Sequence, residues 1–332
     1  MLPAIAEGLQ PGTTDRRAIE VDDPDTGARA SIPVLLARGA QEGPVLCLLS
    51  AQHGTELNGS AAIHLLFRHL DLVDLYGIVM AVPVANPLAA RIKRQAFPTD
   101  HGWTENCPDN MNRVWPGDAE GTVTQRMAAA LWDRCLEPSH AVIDFHGHSP
   151  QYGPLTLARA TSDASLVVAK AFGVAHIQAT REARGGCLYD VAAREGKASI
   201  LVELPPLRLV DPKSVRLALN GIRNVMANLR MISRPERPRE VAIDWPEAET
   251  RSWQAPTDGL VIAHVDPGSI VQEGKLVAEL ISLRDFTVAE EVVAPFRGVL
   301  TVIGCPMKTI DSYDVDIAGR GEPYARMVRC DL

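Results

Sequence analysis

Short apolar runs alternate with segments of helical spacing from about residue 30 to about residue 230, and this alternation limits the fold more than any other feature. Largely apolar strands belong to a sheet that is covered on both faces, because a half-solvated sheet would show alternating polar residues. The alternation therefore predicts an α/β domain in which helices flank a sheet. The candidate strands are residues 32–36, 45–50, 78–84, 141–146, 175–178 and 198–204.

Three segments have the spacing of amphipathic helices. Residues 58–70 repeat apolar side chains every three or four positions, and residues 122–135 begin with small polar residues that suit an N-cap. Residues 211–231 begin with Asp211 and Pro212, an N-cap followed by proline at the first helical position. We expect all three segments to be helices.

The pattern changes near residue 233, and the change predicts a second domain. Three prolines interrupt the charged, weakly periodic stretch 233–249, which favours a linker. Beyond it, short apolar runs alternate with turn residues, and an Ala-Pro-x-x-Gly motif precedes such runs at residues 255–259 and 294–298. We therefore predict a first domain at residues 1–232, a linker at 233–250 and a small all-β domain at 251–332.

Charge and cysteine usage exclude several classes of protein. The formal net charge is -8, whereas a protein that binds nucleic acid needs clustered lysine and arginine. The six cysteines form no CxxC pair in a chain of 332 residues, which is typical of a reducing cytoplasm. No apolar run approaches the roughly 20 residues of a membrane helix, and the N-terminus lacks a signal-peptide pattern. We expect a cytoplasmic protein without nucleic-acid or membrane partners.

Side chains that suit a metal ion follow two of the candidate strands. His53 and Glu56 lie three residues apart just after the second strand, where Gly54 would permit an unusual backbone angle. His146 ends the fourth strand, and ligands collect at the carboxyl ends of strands in α/β sheets. Each histidine alone is explained more simply as a turn cap or a polar strand end. Together with Glu56 they favour a metal site with one open position, as catalytic zinc has.

Three further polar residues extend this hypothesis. Glu203 ends the last candidate strand, where a carboxylate costs free energy unless it is solvated, paired or functional, and beside a metal it could take a proton from water. Asn112 and Arg113 lie on a loop, and the planar guanidinium suits a substrate carboxylate. Alone, Glu203 could equally emerge into solvent, and an Asn-Arg pair is common on loops. Only their combination with the metal group points to hydrolysis.

In their order along the chain, these residues resemble the pattern of the succinylglutamate desuccinylase/aspartoacylase family, within the wider zinc carboxypeptidase-like group. The resemblance covers about residues 30–230 and, more weakly, the C-terminal β domain. It implies a zinc-carboxypeptidase-like mixed sheet flanked by helices. The matching elements are His53 to Glu56, Asn86-Pro87, Asn112-Arg113, Asp144 to Gly147 and Glu203.

The resemblance implies a metal centre and a base. His53, Glu56 and His146 would bind one zinc ion per chain. Glu203 would activate the attacking water and pass its proton to the leaving amine. The reaction would be hydrolysis of a small N-acyl amino acid, which is therefore the expected small-molecule partner.

The resemblance also implies two groups that contact the substrate. Asn112 and Arg113 would hold a carboxylate of the substrate. An arginine after Asn86-Pro87 would stabilise the developing oxyanion, since catalysis depends on charges placed in advance of the reaction. Arg94 fits that role best, with Arg91 as the alternative.

Two positions lie outside the family pattern. Asn110 stands where the family often has an aspartate, which in the wider group orients a zinc-binding histidine. We expect the amide oxygen of Asn110 to accept the same hydrogen bond. His148 is outside the family's ligand set, and contact with a ligand residue, with substrate or with solvent all stay open for it.

The C-terminal part resembles the extra β domain of these enzymes, which is similar to a biotinyl/lipoyl-like barrel. A carrier domain of that type would present a lysine on the hairpin at residues 283–287, where this chain has none. We therefore expect a domain that shields the active-site mouth or forms an oligomer contact. In the second case the protein would be a homo-oligomer.

Competing functions predict different features. An esterase or a carboxypeptidase-type peptidase would use the same chemistry, and only pocket size separates them from an amidohydrolase. A non-catalytic metal-binding or ligand-binding module would have lost the activating carboxylate, whereas Glu203 is present. A carrier module would need the absent lysine. The preferred hypothesis is a zinc-dependent deacylase of small N-acyl amino acids.

Overall fold

The computed structural model describes residues 2–24, 27–97, 109–148, 156–174, 176–180, 185–233, 242–244, 248–304 and 317–329. Its largest element is a mixed sheet of nine strands. These strands are β1 (Thr13–Asp22), β2 (Arg29–Arg38), β3 (Gln41–Ser50), β4 (Tyr76–Val82), β5 (Ala141–His146), β6 (Leu157–Ala160), β7 (His176–Ala179), β8 (Ala198–Glu203) and β9 (Ala242–Asp244).

The order across the sheet is β1-β2-β4-β3-β5-β8-β6-β7-β9. The four central strands β4, β3, β5 and β8 run parallel to one another. Strands β1 and β2 form an antiparallel hairpin on one side, and β6 pairs antiparallel with β8 on the other. Because parallel strands end at the same edge of a sheet, the residues that follow β3, β5 and β8 lie close together.

Helices cover both faces of the sheet. A core of buried apolar side chains lies between one face and α1, α4 and α6, and a second core lies between the other face and α2, α3 and α5. The helix bounds are α1 (Asn58–His69), α2 (Pro87–Arg91), α3 (Val123–Leu131), α4 (Asp163–Phe172), α5 (Leu188–Arg194) and α6 (Pro212–Asn228).

Local sequence explains where the helices begin. The Thr122 side chain accepts a hydrogen bond from Gln125 N while the Gln125 side chain accepts one from Thr122 N, so a capping box begins α3. A π-helical turn at Trp132–Leu136 continues that helix. Asp211 accepts a hydrogen bond from Ser214 N at the start of α6. The N-caps predicted from the sequence are therefore present.

The prediction of an α/β sheet flanked by helices is confirmed. Each of the six candidate strands corresponds to a strand, although Ala175 of the fifth lies outside the described residues. Strands β1, β6 and β9 and helices α2, α4 and α5 were not predicted. Strand β9 falls within the stretch predicted as a linker and pairs parallel with β7, so the large sheet extends beyond residue 232.

Two antiparallel sheets of four strands follow, in the orders β10-β17-β15-β12 and β14-β13-β11-β16. Between them lies an apolar core of their own, with Phe296 and Tyr324 fully buried. Strands β11 and β15 begin at the glycines of the two Ala-Pro-x-x-Gly motifs. The bounds are β10 (Thr250–Gln254), β11 (Gly259–Ala263), β12 (Ile270–Val271), β13 (Leu276–Ser282), β14 (Val288–Val293), β15 (Gly298–Ile303), β16 (Ile317–Ala318) and β17 (Pro323–Arg329).

No helix among the described residues is both long enough and apolar enough to span a membrane. The longest, α6, has 17 residues and an amphipathic pattern with one buried face.

Gly221 of α6 provides a test of packing between α6 and α4. A Cβ added at Gly221 would lie 2.4 Å from the buried ring of Phe172. We expect Gly221→Ala to lower the free energy of unfolding by about 1–3 kcal/mol, because overpacking outweighs the gain in helix propensity. Asn220→Ala, at an exposed position of the same helix, should raise it by about 0.5 kcal/mol. Urea denaturation of both variants measures the difference, and stabilisation by Gly221→Ala would contradict this packing.

Candidate metal centre

The structure brings His53, Glu56 and His146 together at the carboxyl edge of the parallel strands. All three side chains are buried, and their ligand atoms lie within 4.8 Å of one another. A tight turn, in which Glu56 N donates to His53 O at 3.1 Å, places the first two side chains on the same side. His146 is the last residue of β5, which pairs with β3. The three residues predicted to bind a metal therefore form one group.

The turn after β3 differs in one respect from the expectation. Gly54 is not among the residues with a positive φ, whereas Ala51 has a φ of 54°. A Cβ on Gly54 would lie 2.3 Å from backbone atoms of Ala89 and Ala90 in α2. Glycine would permit an unusual backbone angle here, but Gly54 does not adopt a positive φ. Glycine is required there because α2 approaches the turn closely.

Acceptors behind the two histidines orient their rings. Asn110 Oδ1 lies 3.0 Å from His53 Nε2, and Asp144 Oδ2 lies 3.1 Å from His146 Nε2. Both oxygens can only accept, so each Nε2 carries a hydrogen, and each Nδ1 is the nitrogen that can bind either a second proton or a metal ion. The Nδ1 atoms of His53 and His146 point at the two oxygens of Glu56, at 2.9 Å each. The predicted hydrogen bond to the Asn110 amide oxygen is present.

This arrangement fits a divalent cation. Each Nδ1 faces a carboxylate oxygen of Glu56, so a positive charge is favoured between them, either a proton on the imidazole or a metal ion that replaces it. Burial alone would raise the pKa of Glu56, but His53 and His146 hold that pKa far below its usual range. Burial alone would lower the pKa of His146, but Asp144 and Glu56 raise it well above its usual value. Two imidazoles and one carboxylate are a donor set typical of zinc.

A buried chain of hydrogen bonds supports His146 from behind. Trp115 Nε1 donates to Gln52 Oε1 at 2.7 Å, and Gln52 Nε2 donates to both oxygens of Asp144 at 2.8 Å. The four residues are at most 4% exposed, and Gln52 is fully buried. The sequence analysis did not identify Gln52 or Trp115. Their contacts join residues 63 and 92 positions apart, so no local pattern reveals them.

The carboxylate of Glu56 is held by protein donors on its outer side. Gly147 N donates to Oε2 at 3.0 Å, and Gln95 Nε2 donates to Oε1 at 3.3 Å. Thr55 Oγ1 in turn donates to Gln95 Oε1 at 2.7 Å. Gln95 is therefore a further residue of this site that the sequence analysis missed. Its contacts fix the segment that follows α2 beside the metal group.

Glu203 lies on the strand next to His146. The two residues are register partners of β8 and β5, so their Cα atoms are about 4.8 Å apart and their side chains extend from the same face. Among the described residues, Glu203 Oε2 is buried and has no hydrogen-bond partner. A buried carboxylate oxygen without a partner is costly, which favours a functional reason for its position.

Asn112 and Arg113 belong to a short 3₁₀ turn at Met111–Arg113. Asn112 Nδ2 lies 3.4 Å from His146 Nε2, so this amide borders the metal group. Arg113 is half-buried and Nη1 donates to Asn112 O at 2.7 Å. The structure thus brings the predicted substrate-binding pair to the same edge of the sheet.

The remaining predicted residues lie around this group. Arg91 is the last residue of α2, and Arg94 lies in the turn after it; both are exposed. Arg94 directly precedes Gln95, which contacts Glu56. The oxyanion role of either arginine stays a prediction. His148 is buried two residues after the end of β5.

Comparison with known proteins identifies the family. Residues 42–229 match the model of the succinylglutamate desuccinylase/aspartoacylase catalytic domain. The chain belongs to this family. It is 30% identical over 309 residues to the N-alpha-acetyl-L-2,4-diaminobutyric acid deacetylase of Halomonas elongata, a match that covers 89% of this chain and 86% of that protein.

Solved structures agree on the fold. A succinylglutamate desuccinylase from Silicibacter sp. TM1040 superposes with a TM-score of 0.78 at 24% identity, covering 99% of this chain and 98% of that one. The product-bound ectoine utilization protein EutE (DoeB) from Ruegeria pomeroyi gives 0.77 at 24% identity, covering 98% of each chain. Both likenesses extend over the C-terminal antiparallel sheets as well as the large sheet.

Proposed function

We propose that this protein is a zinc-dependent deacylase that hydrolyses the amide bond of a small N-acyl amino acid. The observation that supports this most strongly is the buried His53, Glu56 and His146 group, with Glu203 on the next strand, whose buried Oε2 has no partner within the described part of the chain. The relative from Halomonas elongata is named as a deacetylase, and the family is named for two amide hydrolases. Because His146 and Glu203 are register partners on adjacent parallel strands, the metal group and the base can act on one bound molecule.

In this proposal each residue has one task. His53, Glu56 and His146 would hold a zinc ion, and such an ion would supply Lewis acidity for the acyl carbonyl and for a nearby water. Glu203 takes the proton of the attacking water and delivers it to the leaving nitrogen.

The substrate is held by the same edge of the sheet. Asn112 and Arg113 bind the carboxylate of the amino acid through charge-assisted hydrogen bonds. Arg94, or Arg91 in its place, stabilises the negative charge that develops on the acyl oxygen. The contacts between Gln95 and Glu56 support the choice of Arg94, because they fix the neighbouring backbone at the site.

Release of free amine from a panel of N-acyl amino acids tests the function. The name of the relative makes Nα-acetyl-L-2,4-diaminobutyric acid the first compound, followed by N-acetyl and N-succinyl derivatives of other amino acids. We expect turnover by the zinc-loaded protein and none after removal of zinc. Faster hydrolysis of the matching esters or of peptides would instead support the esterase or peptidase function. No turnover of any of these compounds would reject a hydrolase.

The finer features of the fold are also proposed. We infer that the large domain is carboxypeptidase-like and that residues 251–332 form a biotinyl/lipoyl-like barrel that shields the site or contacts a second copy. The two four-stranded antiparallel sheets around one core support the barrel. The lysine-free hairpin between β13 and β14 supports a role other than that of a carrier. The scattered cysteines support a cytoplasmic location.

The hydrogen bond from Trp115 to Gln52 predicts an effect on zinc affinity. Trp115→Phe keeps the aromatic packing but leaves Gln52 Oε1 buried without its donor, so Asp144 and His146 lose their fixed orientation. We expect zinc affinity to fall about 10-fold, the lower end for partners of metal ligands. Competition with a chromogenic chelator measures this. Trp253→Phe, a buried tryptophan of the C-terminal sheets, is the control, and equal affinities in the two variants would contradict the role.

A further inference from the structure

The turn that begins α5 contacts the Asn112-Arg113 pair at several points. Gly186 has a φ of 75°, and a Cβ added there would lie 1.9 Å from Arg113 O and 2.4 Å from Arg113 C. Trp115 N donates to Gly186 O at 3.2 Å. The backbone of the turn therefore lies directly against the backbone of Arg113, with no space for a side chain between them.

The next two residues contact the side chains of the pair. Arg113 Nη1 donates to Cys187 Sγ at 3.1 Å, and Leu188 N donates to Asn112 Oδ1 at 2.9 Å. Cys187 and Leu188 are both buried. Because Asn112 Oδ1 accepts the hydrogen bond from Leu188 N, the Asn112 side-chain amide is oriented with its Nδ2 towards His146. The turn thus fixes both members of the pair.

The same turn is attached to the strand that bears Glu203. Cys187 and Tyr189 pack against Leu201 of β8 in a small apolar cluster. Leu201 lies two residues before Glu203, so its side chain extends from the same face of the sheet. The distance between the arginine and the base is therefore set through the residues of this turn.

We propose that Gly186 and Cys187 are positioning residues that place the Arg113 guanidinium for a substrate carboxylate and so determine the preference for carboxylate-bearing substrates. This inference rests on the proposed function, because it assigns the ligand of Arg113. Arg113 is held at its backbone by Gly186 and at Nη1 by Cys187. A displacement of about 1 Å at such a clamp is enough to impair catalysis substantially.

The chain contains a matched control for Gly186. Gly196, at the other end of α5, has a φ of 78° and no atom within 4 Å of its added Cβ. Gly186→Ala and Gly196→Ala impose the same left-handed strain on an alanine, but only the first displaces Arg113. Cys187→Ala removes the acceptor of the hydrogen bond from Arg113 Nη1, whereas Cys187→Ser keeps an acceptor at that position.

The experiment compares an N-acetyl amino acid with its carboxamide, using kcat and KM of the zinc-loaded full chain. For Gly186→Ala and Cys187→Ala we expect KM for the carboxylate substrate to rise about 10-fold, the size of a lost charge-assisted contact. KM for the carboxamide should change less than about 2-fold by the same argument. Gly196→Ala should keep the preference, and Cys187→Ser should recover most of what Cys187→Ala loses.

The outcomes separate the two proposals. Equal rises in KM on both substrates, or the same loss in Gly196→Ala as in Gly186→Ala, would overturn the inference while wild-type turnover leaves the proposed function intact. If the wild type turns over neither the N-acetyl amino acid nor its carboxamide, the proposed function and this inference are both overturned. If Gly186→Ala fails to fold, the contrast between Cys187→Ala and Cys187→Ser decides, with melting temperatures confirming that both are folded.

Discussion

Glu203→Gln is expected to abolish nearly all turnover while leaving the metal bound. Glutamine has the same shape as glutamate but cannot take a proton from water, and a general base contributes about 10²–10⁴-fold to a rate. Glu203 is not one of the three groups whose ligand atoms lie within 4.8 Å, so the zinc content should stay at one equivalent. The measurements are kcat on an N-acetyl amino acid and zinc content by mass spectrometry.

Stability distinguishes this catalytic role from a structural one. Glu203 Oε2 is buried without a partner among the described residues, and a neutral amide costs less to bury than a carboxylate. The melting temperature of Glu203→Gln should therefore equal or exceed that of the wild type. Glu195→Gln, at an exposed position after α5, controls for the change of charge. A variant that melts earlier and keeps its turnover would make Glu203 a structural residue.

The sequence predicted the strands and helices in which apolar residues form a clear pattern. Strand β5 was predicted with the observed bounds, because its six residues are all buried and its ends are marked by polar residues. Strand β1 was missed because most of its side chains are exposed, so it shows no apolar run. Strand β6 has only four residues, too few for a periodic pattern. Its position beside β8 depends on pairing across the sheet.

The metal group was predictable because its residues follow strands that end at one edge. The partner of His53 was also predictable, since an amide oxygen at Asn110 can accept the bond that a carboxylate would accept. Gln52 and Gln95 were not, because glutamine is common on surfaces and only the fold shows that both are buried against acidic groups. A sequence can reveal the metal ligands of such a site, whereas the residues that orient those ligands are identified only from tertiary contacts.

Glu56→Gln is expected to remove the metal without unfolding the protein. The carboxylate faces both His53 Nδ1 and His146 Nδ1 at 2.9 Å, so it is the one anionic ligand of the group. An amide in its place is a poor ligand, and its NH₂ group would donate to one of the Nδ1 atoms instead. We expect less than about 0.1 equivalent of zinc and a fall in turnover of at least about 10³-fold, since both water activation and carbonyl polarisation depend on the ion.

The response of stability to zinc separates a metal site from a structural hydrogen-bond network. A ligand that binds only the folded state stabilises it by RT ln(1 + [L]/Kd), so excess zinc should raise the melting temperature of the chelated wild type. It should not raise that of Glu56→Gln, which lacks the anionic ligand. If the group were only a structural hydrogen-bond network, the wild type would purify without metal and excess zinc would leave its melting temperature unchanged. Glu203→Gln, which keeps all three ligands, should still respond to zinc like the wild type.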